Sequence, residues 1–280
     1  MITLVKLEIF KLVRRARSYL GFAALSALAG LVVLGLKEGP PPFEQSINQV
    51  FMTFGNILNG GFTAWFLLKL MMALFLPLFA CVVIGDMVSG EANDGTLRTM
   101  LSRPVGRGKI LFSKFIVSVL YVIALTFFIG VAGYMLGAIF LGRGALVTFQ
   151  EGTALGAQGI YIYPEAEGLL RLLGAYAYAS VAVLSVASIA FFISAFVTNS
   201  LGAIGGAMVL YIASNLLGII KYFEPIKDYL FTTHMGNFGL FFINEIPKGD
   251  LLKSLGILFA YILAFLAAGL FVFHRKDVLS

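Results

Sequence analysis

Between Arg171 and Lys221 the chain runs through 49 residues, 172–220, without one Asp, Glu, Lys or Arg. A helix crossing the hydrocarbon of a bilayer needs about 20 mostly apolar residues. The stretch therefore holds two crossings and is too long for one. Thr198-Asn199-Ser200 interrupts it, and these turn-forming, helix-capping residues predict a tight turn between two helices. Three more charge-free segments, 18–36, 115–142 and 254–273, have 19, 28 and 20 residues. A sixth, 62–85, is apolar apart from Lys69. Six spans follow, at about 18–37, 62–85, 112–141, 171–196, 202–220 and 253–273 of the 280 residues. Composition agrees, with 60% of residues apolar and 12% charged, where a soluble domain carries roughly 25% charged residues. A soluble enzyme, a coiled coil and a disordered chain are excluded. The expected fold is an all-α polytopic membrane protein, a single transmembrane domain over residues 1–280.

Charge placement sets the expected orientation. With both termini in the cytoplasm, the inner segments hold 12 Lys and Arg, the outer segments seven, and Lys69 sits in a span. The acids run the other way, five inside and nine outside. The net charge of +6 is thus a topology signal facing anionic lipid and calls for no nucleic acid. A signal peptide ending at Ala27-Leu28-Ala29 is an alternative reading of the N-terminus. The 17 residues before the first span argue against it. Ile2, Val5, Ile9, Leu12, Val13 and Ala16 make an apolar stripe, with Glu8, Lys11, Arg14 and Arg15 opposite. That pattern predicts an interfacial amphipathic helix, in which Lys11, Arg14 and Arg15 meet headgroups or a cytoplasmic partner.

Chemistry-bearing constellations are missing. His234 and His274 fall on opposite sides of the expected topology, and the one cysteine, Cys81, lies in an apolar run suited to packing. There is no HExxH and no Gly-x-Ser-x-Gly elbow. Asn93-Asp94 begins a diphosphate-binding NDxxxD pattern, but Arg98 stands where the second carboxylate belongs. Glu165 and Glu167 read as a solvated loop. No catalytic residue, metal ligand or cofactor site is expected, and no enzyme activity. No acid lies in mid-membrane to carry a coupling ion, and no phosphate-binding loop with the Gly-Lys-Ser/Thr ending is present. Any uphill work would draw energy from outside the chain. Lys69 snorkels to the interface or serves a pathway.

The segment 86–109 is the most informative. Gly95 breaks the preceding helix, and Thr96 is placed to cap a short one. Leu97, Met100 and Leu101 share a face, and Pro104 ends the helix. Such a helix suits docking into a groove on another protein; a plain hairpin between spans is the simpler reading. With Glu91, Gly95-Thr96-Leu97, Met100-Leu101-Ser102, Pro104-Val105, Arg107 and Lys114, the segment resembles the permease subunits of type-2 ABC exporters. Met100 replaces the commoner Leu. The amphipathic N-terminus, the six spans and the ending Phe273-His-Arg-Lys-Asp277 extend the resemblance over the chain, although only this segment is specific.

The resemblance implies two permease chains, identical or paralogous, in the cytoplasmic (inner) membrane of a prokaryote. Each docks on a separate cytoplasmic ABC ATPase, which binds ATP and Mg; this chain binds no cofactor. A coupling helix between spans 2 and 3 contacts the ATPase. Glu91, Gly95, Thr96, Leu97, Arg98, Leu101, Pro104 and Arg107 become candidate coupling residues, with Glu91 linking the segment to the N-terminal helix. Lys69 and the Gly133/Gly137 pair are candidates for a pathway or a dimer seam. The stretch 221–252 is half apolar; short re-entrant helices and an ordinary interfacial loop both remain open. Two functions follow: export of an unidentified amphipathic substrate, or relay of ATP-driven motion to another membrane or extracytoplasmic partner without transport. Substrate and choice of partner permease stay open.

Overall fold

A computed structural model describes residues 1–38, 57–96, 106–150 and 159–275. Its helices in chain order are α1 (Ile2–Arg14), α2 (Ala16–Lys37), α3 (Gly60–Ala73), α4 (Phe75–Asn93), α5 (Arg107–Phe140), α6 (Glu165–Phe196), α7 (Ser200–Ile219), α8 (Glu224–Lys227), α9 (Phe231–Met235) and α10 (Lys248–Arg275). Six of them, α2, α4, α5, α6, α7 and α10, are long and apolar enough to cross a membrane.

The core is organised around α6, which packs against α10, α4, α7 and α5. Its inward surface is made of small residues, among them Ala175, Ala179, Ala182, Ala187 and Ala190, all 0% exposed. Small side chains let helices approach closely in a bundle. Its serines turn their hydroxyls back onto the helix: Ser180 donates to the Tyr176 carbonyl and Ser185 to that of Ala182. Ser194 instead reaches α4, accepting from the Ser89 amide at 2.9 Å. On the outside, large apolar side chains such as Leu31, Val209 and Leu263 are exposed, a surface suited to hydrocarbon.

Three features depart from the expectations. The second span, expected as one helix over 62–85, is broken at Leu74 (φ −149, ψ −47) and continues to Asn93. Pro77 explains the break: its ring would clash with the carbonyl four residues earlier, that of Ala73, and it offers that carbonyl no amide. The Tyr211 hydroxyl on α7 donates to the Ala73 carbonyl at 2.8 Å instead. Second, helices outrun the expected spans at their ends, so Asp86 and Glu91 are helical in α4, and α5 starts at Arg107, five residues before the expected 112. Third, the all-α expectation missed a strand pair. Leu146–Gln150 (β1) pairs antiparallel with Gly159–Tyr163 (β2), Leu146 opposite Tyr163 and Gln150 opposite Gly159. Asn59 ties this hairpin to α3, accepting from the Phe62 amide at 3.0 Å and donating to the Ala145 carbonyl at 2.7 Å.

The bundle thus has an α1 end and a hairpin end. At the hairpin end the stretch after α7 folds as 3-10 turns at Lys221–Phe223 and Gly236–Phe242 with α8 and α9 between. Phe231, Met235, Leu240 and Phe242 are buried there. Arg171 on α6 clamps this cap, donating to the carbonyls of Phe241 (2.9 Å) and Ile243 (2.7 Å). Its guanidinium lies 4.1 Å from the Tyr163 ring centroid. Burial pushes the Tyr163 phenol above its ordinary value, against the pull of that cation.

Candidate functional site

At the α1 end the chain turns at Arg15, extended at φ −85 and ψ 122, between α1 and α2. The turn lays α1 across the starts and ends of longer helices. Glu8, Lys11 and Arg15, spaced i, i+3, i+7, share its inward face. Glu8 is the one buried residue of α1, while Ile2, Ile9, Phe10 and Val13 are exposed. α1 therefore turns Glu8 and Lys11 into the protein and leaves Ile2, Ile9, Phe10, Val13 and Arg14 exposed, while Leu12 packs against the core.

Four charges close a ring there. The Lys114 ammonium, on α5, is 2.7 Å from Glu8 Oε2 and 2.8 Å from Glu91 Oε2. Lys11 bridges the same carboxylates through their other oxygens, 3.2 Å from Glu8 Oε1 and 3.0 Å from Glu91 Oε1. Charges alternate around the ring, and three helices supply them. Lys114 and Glu91 are 1% and 2% exposed. Taking such ions out of water costs several kcal/mol each, offset only when each is paired at close range; the ring pairs all four.

A second branch extends it. Arg15 lies 3.6 Å from Glu91 and 3.4 Å from Asp86 Oδ2. Asp86 Oδ1 also meets Arg17 at 2.9 Å and accepts from the Ser200 hydroxyl of α7 at 2.6 Å. Room for the Asp86 carboxylate comes from Gly90, where a Cβ would stand 2.5 Å from Oδ1. The cluster of three acids and four bases joins α1, α2, α4, α5 and α7, around a cavity of about 20 Å³, room for a single water. Among the described residues no group of three or more His, Cys, Asp or Glu is placed to hold an ion. The cluster's chemistry is that of a lock.

The other residues singled out in the sequence fall as follows. Gly95 adopts φ +72 just past α4, a left-handed conformation that glycine takes without penalty. The Thr96 hydroxyl donates back to the Glu91 carbonyl at 3.3 Å. Arg107 opens α5. Leu97, Arg98, Leu101 and Pro104 lie outside the described residues. Arg14 points away from the ring, its guanidinium 4.3 Å from the Phe10 ring centroid. Gly133 and Gly137 face α3 of the same chain, where a Cβ at Gly137 would be 2.8 Å from the Gly60 Cα. Lys69 is elsewhere, in the wall of a cavity of about 840 Å³ at the hairpin end.

Glu8, Arg17, Asp86 and Ser200 were not singled out by the sequence. One signal was available: Glu8 is the sole acid in the first 37 residues, on the face that carries Lys11 and Arg15.

Comparison with known proteins adds two findings. The model of a family described as a protein of unknown function (DUF2705) matches residues 42–279. The uncharacterized protein YhcI of Bacillus subtilis (strain 168) is 30% identical over 207 residues, which are 72% of this chain and 64% of YhcI. The match thus spans under two thirds of that relative's length.

Proposed function

The chain belongs to the DUF2705 family, and from the ion-pair ring we propose that it is the membrane-spanning subunit of an ATP-driven exporter powered by a separate ATPase. In this reading the α1 end faces the cytoplasm, and α1 lies in the membrane interface with Ile2, Ile9, Phe10 and Val13 toward lipid. The segment 94–106 docks on the ATPase through Leu97, Arg98 and Leu101. Two such chains form the working unit in a prokaryotic cytoplasmic membrane, each with its own ATPase, and the cargo is an amphipathic molecule.

The ring is the observation that carries the reading. Glu91 precedes the segment and Lys114 follows it, and both are held by Glu8 and Lys11 of α1. Both ends of the segment are therefore fastened to one helix. A displacement of the segment moves α1, α4 and α5 together instead of bending a loop. ATP drives such a change only if the ATPase binds one arrangement more tightly than the other.

The test is to extract the tagged chain gently from its native membrane and identify what accompanies it by mass spectrometry. A stoichiometric ATPase is expected, and it is lost on Leu97→Asp with Leu101→Asp while the chain remains folded and inserted. Absence of any ATPase would overturn the proposal. A further membrane or extracytoplasmic protein in the complex would instead favour relay of motion to that partner.

A further inference from the structure

The second cavity lies at the hairpin end, walled by α3, α7, α9, α10, the Gly236–Phe242 turn and Gln150 of β1. At about 840 Å³ it is within the roughly 300–1,000 Å³ range of small-molecule sites. Charge gives it little selectivity. Lys227 is followed directly by Asp228, and Asp250 shares a face of α10 with Lys253. A charged ligand therefore meets both signs wherever it approaches. Lys69 is engaged within the protein, its ammonium 5.8 Å from the Trp65 ring centroid. What the wall has to offer is uncharged hydrogen-bonding capacity.

The protein's own hydrogen bonds decide which part of that capacity is left over. The Asp228 carbonyl can only accept, so the neutral His234 ring carries its proton on Nε2, 2.8 Å from that oxygen. Nδ1 then accepts, and the hydroxyl that donates to it, 3.0 Å away, is Ser254. Ser254 has one proton to give. Its oxygen can therefore only accept from Asn237, whose amide nitrogen stands 2.7 Å away. This fixes the Asn237 carboxamide with its nitrogen on Ser254 and its oxygen unspent. Gln150 is oriented in the same way: its nitrogen donates to the Gly239 carbonyl at 3.1 Å, and its oxygen is left. The Thr233 hydroxyl lines the cavity as well. Among the described residues no hydrogen-bond partner reaches any of these three oxygens.

We propose that this cavity binds an uncharged, hydroxyl-rich molecule, a saccharide. Its hydroxyls donate to the Gln150 and Asn237 oxygens and share a hydrogen bond with Thr233, while its C–H faces lie along Trp65, Phe238 and Leu240. A sugar hydroxyl both donates and accepts, so it satisfies acceptor-only carboxamide oxygens and the Thr233 hydroxyl alike. A ligand of the same shape without donors strips water from those oxygens and leaves them unpaired, and a site of this kind rejects it. The proposal does not depend on the export reading, because binding is measured with the chain alone and no ATPase.

Trp65 is the only tryptophan in the chain and lines this wall, so tryptophan emission reports on the cavity. The full chain, in a polyoxyethylene detergent that carries no sugar, is titrated with maltotriose and with maltotriose methylated at every hydroxyl. A saturable change is expected with maltotriose, and an affinity roughly a hundredfold weaker for the methylated sugar. Thr233→Val keeps the side-chain shape and removes a hydroxyl that holds nothing in the protein. It should leave the melting midpoint in place and weaken maltotriose about fivefold. Dodecyl maltoside and maltose tell the source of the sugar: tighter binding of the former assigns the head of a glycolipid, equal binding a free saccharide, and both outcomes support the site. Equal affinities for free and methylated maltotriose overturn the proposal. So does the absence of a saturable response to maltotriose and dodecyl maltoside alike. Displacement of maltotriose by an equal concentration of N-acetyl-tetraglycine amide overturns the saccharide in favour of a peptide.

Discussion

Lys114 shows how a single charge can be a structural commitment. It is 1% exposed and stands between two carboxylates from different helices. Removing one partner from a buried pair leaves the other uncompensated, at a cost of about 3–5 kcal/mol. Lys114→Met should therefore lower the thermal unfolding midpoint sharply. Arg14→Ala, three residues from Lys11 but turned onto Phe10, should stay within about 0.5 kcal/mol, as surface changes do. Calorimetry or thermal melting of the detergent-solubilised variants makes the comparison. Equal midpoints would remove the ring from the account of stability.

Among the elements, the broken pair α3–α4 makes its own prediction. The Tyr211 hydroxyl reaches the carbonyls of Ala73 (2.8 Å) and Met72 (3.3 Å) where Pro77 offers no amide. Tyr211→Phe keeps the packing and strands a buried acceptor, at about 1–3 kcal/mol. The melting midpoint should fall, and amide exchange around Leu74 should rise first; unchanged exchange there would mean the break needs no cap. The same break marks what the sequence hides. Six helices long and apolar enough to cross a membrane were legible, the second of them displaced to Phe75–Asn93, because each needs a run of apolar residues that little else in a chain supplies. The break was not, since Pro77 sits in an apolar run whose hydropathy is blind to one missing amide. The hairpin was missed because its strands of five residues lie in a segment defined only by its charges. Helix ends were misplaced for a shared reason. Charges were taken as the limits of the second span, whereas Asp86 and Glu91 are paired and stay inside the helix. Glu91 was singled out through its motif; Glu8, which shares Lys11 and Lys114 with it, was masked by the basic residues around it.

For the whole molecule, α6 separates two ends with different chemistry, a charge lock at one and a mixed polar and apolar cavity at the other. If the lock transmits motion, Glu91→Ala should leave the ATPase bound while halting movement between the ends. Spin labels at Ile9→Cys and Ile139→Cys, both exposed in the parent chain, whose one cysteine, Cys81, is buried, would read it. ATP should change the label distance in the parent complex and leave it fixed in the Glu91→Ala complex. An unaltered ATP response in that variant would place the coupling elsewhere.

The ring also bears on how the chain is made. Its four members, Glu8, Lys11, Glu91 and Lys114, all precede residue 115. At a synthesis rate of roughly 5–20 residues per second, they have left the ribosome several seconds before α6, the helix around which the bundle packs. The charges on α1, α4 and α5 are thus available to neutralise one another while half the protein does not yet exist. Asp86 receives its last partner, Ser200, only after α6 has been threaded. Assembly of the α1 end can therefore begin as a nascent-chain event, with the later helices closing around a lock already formed.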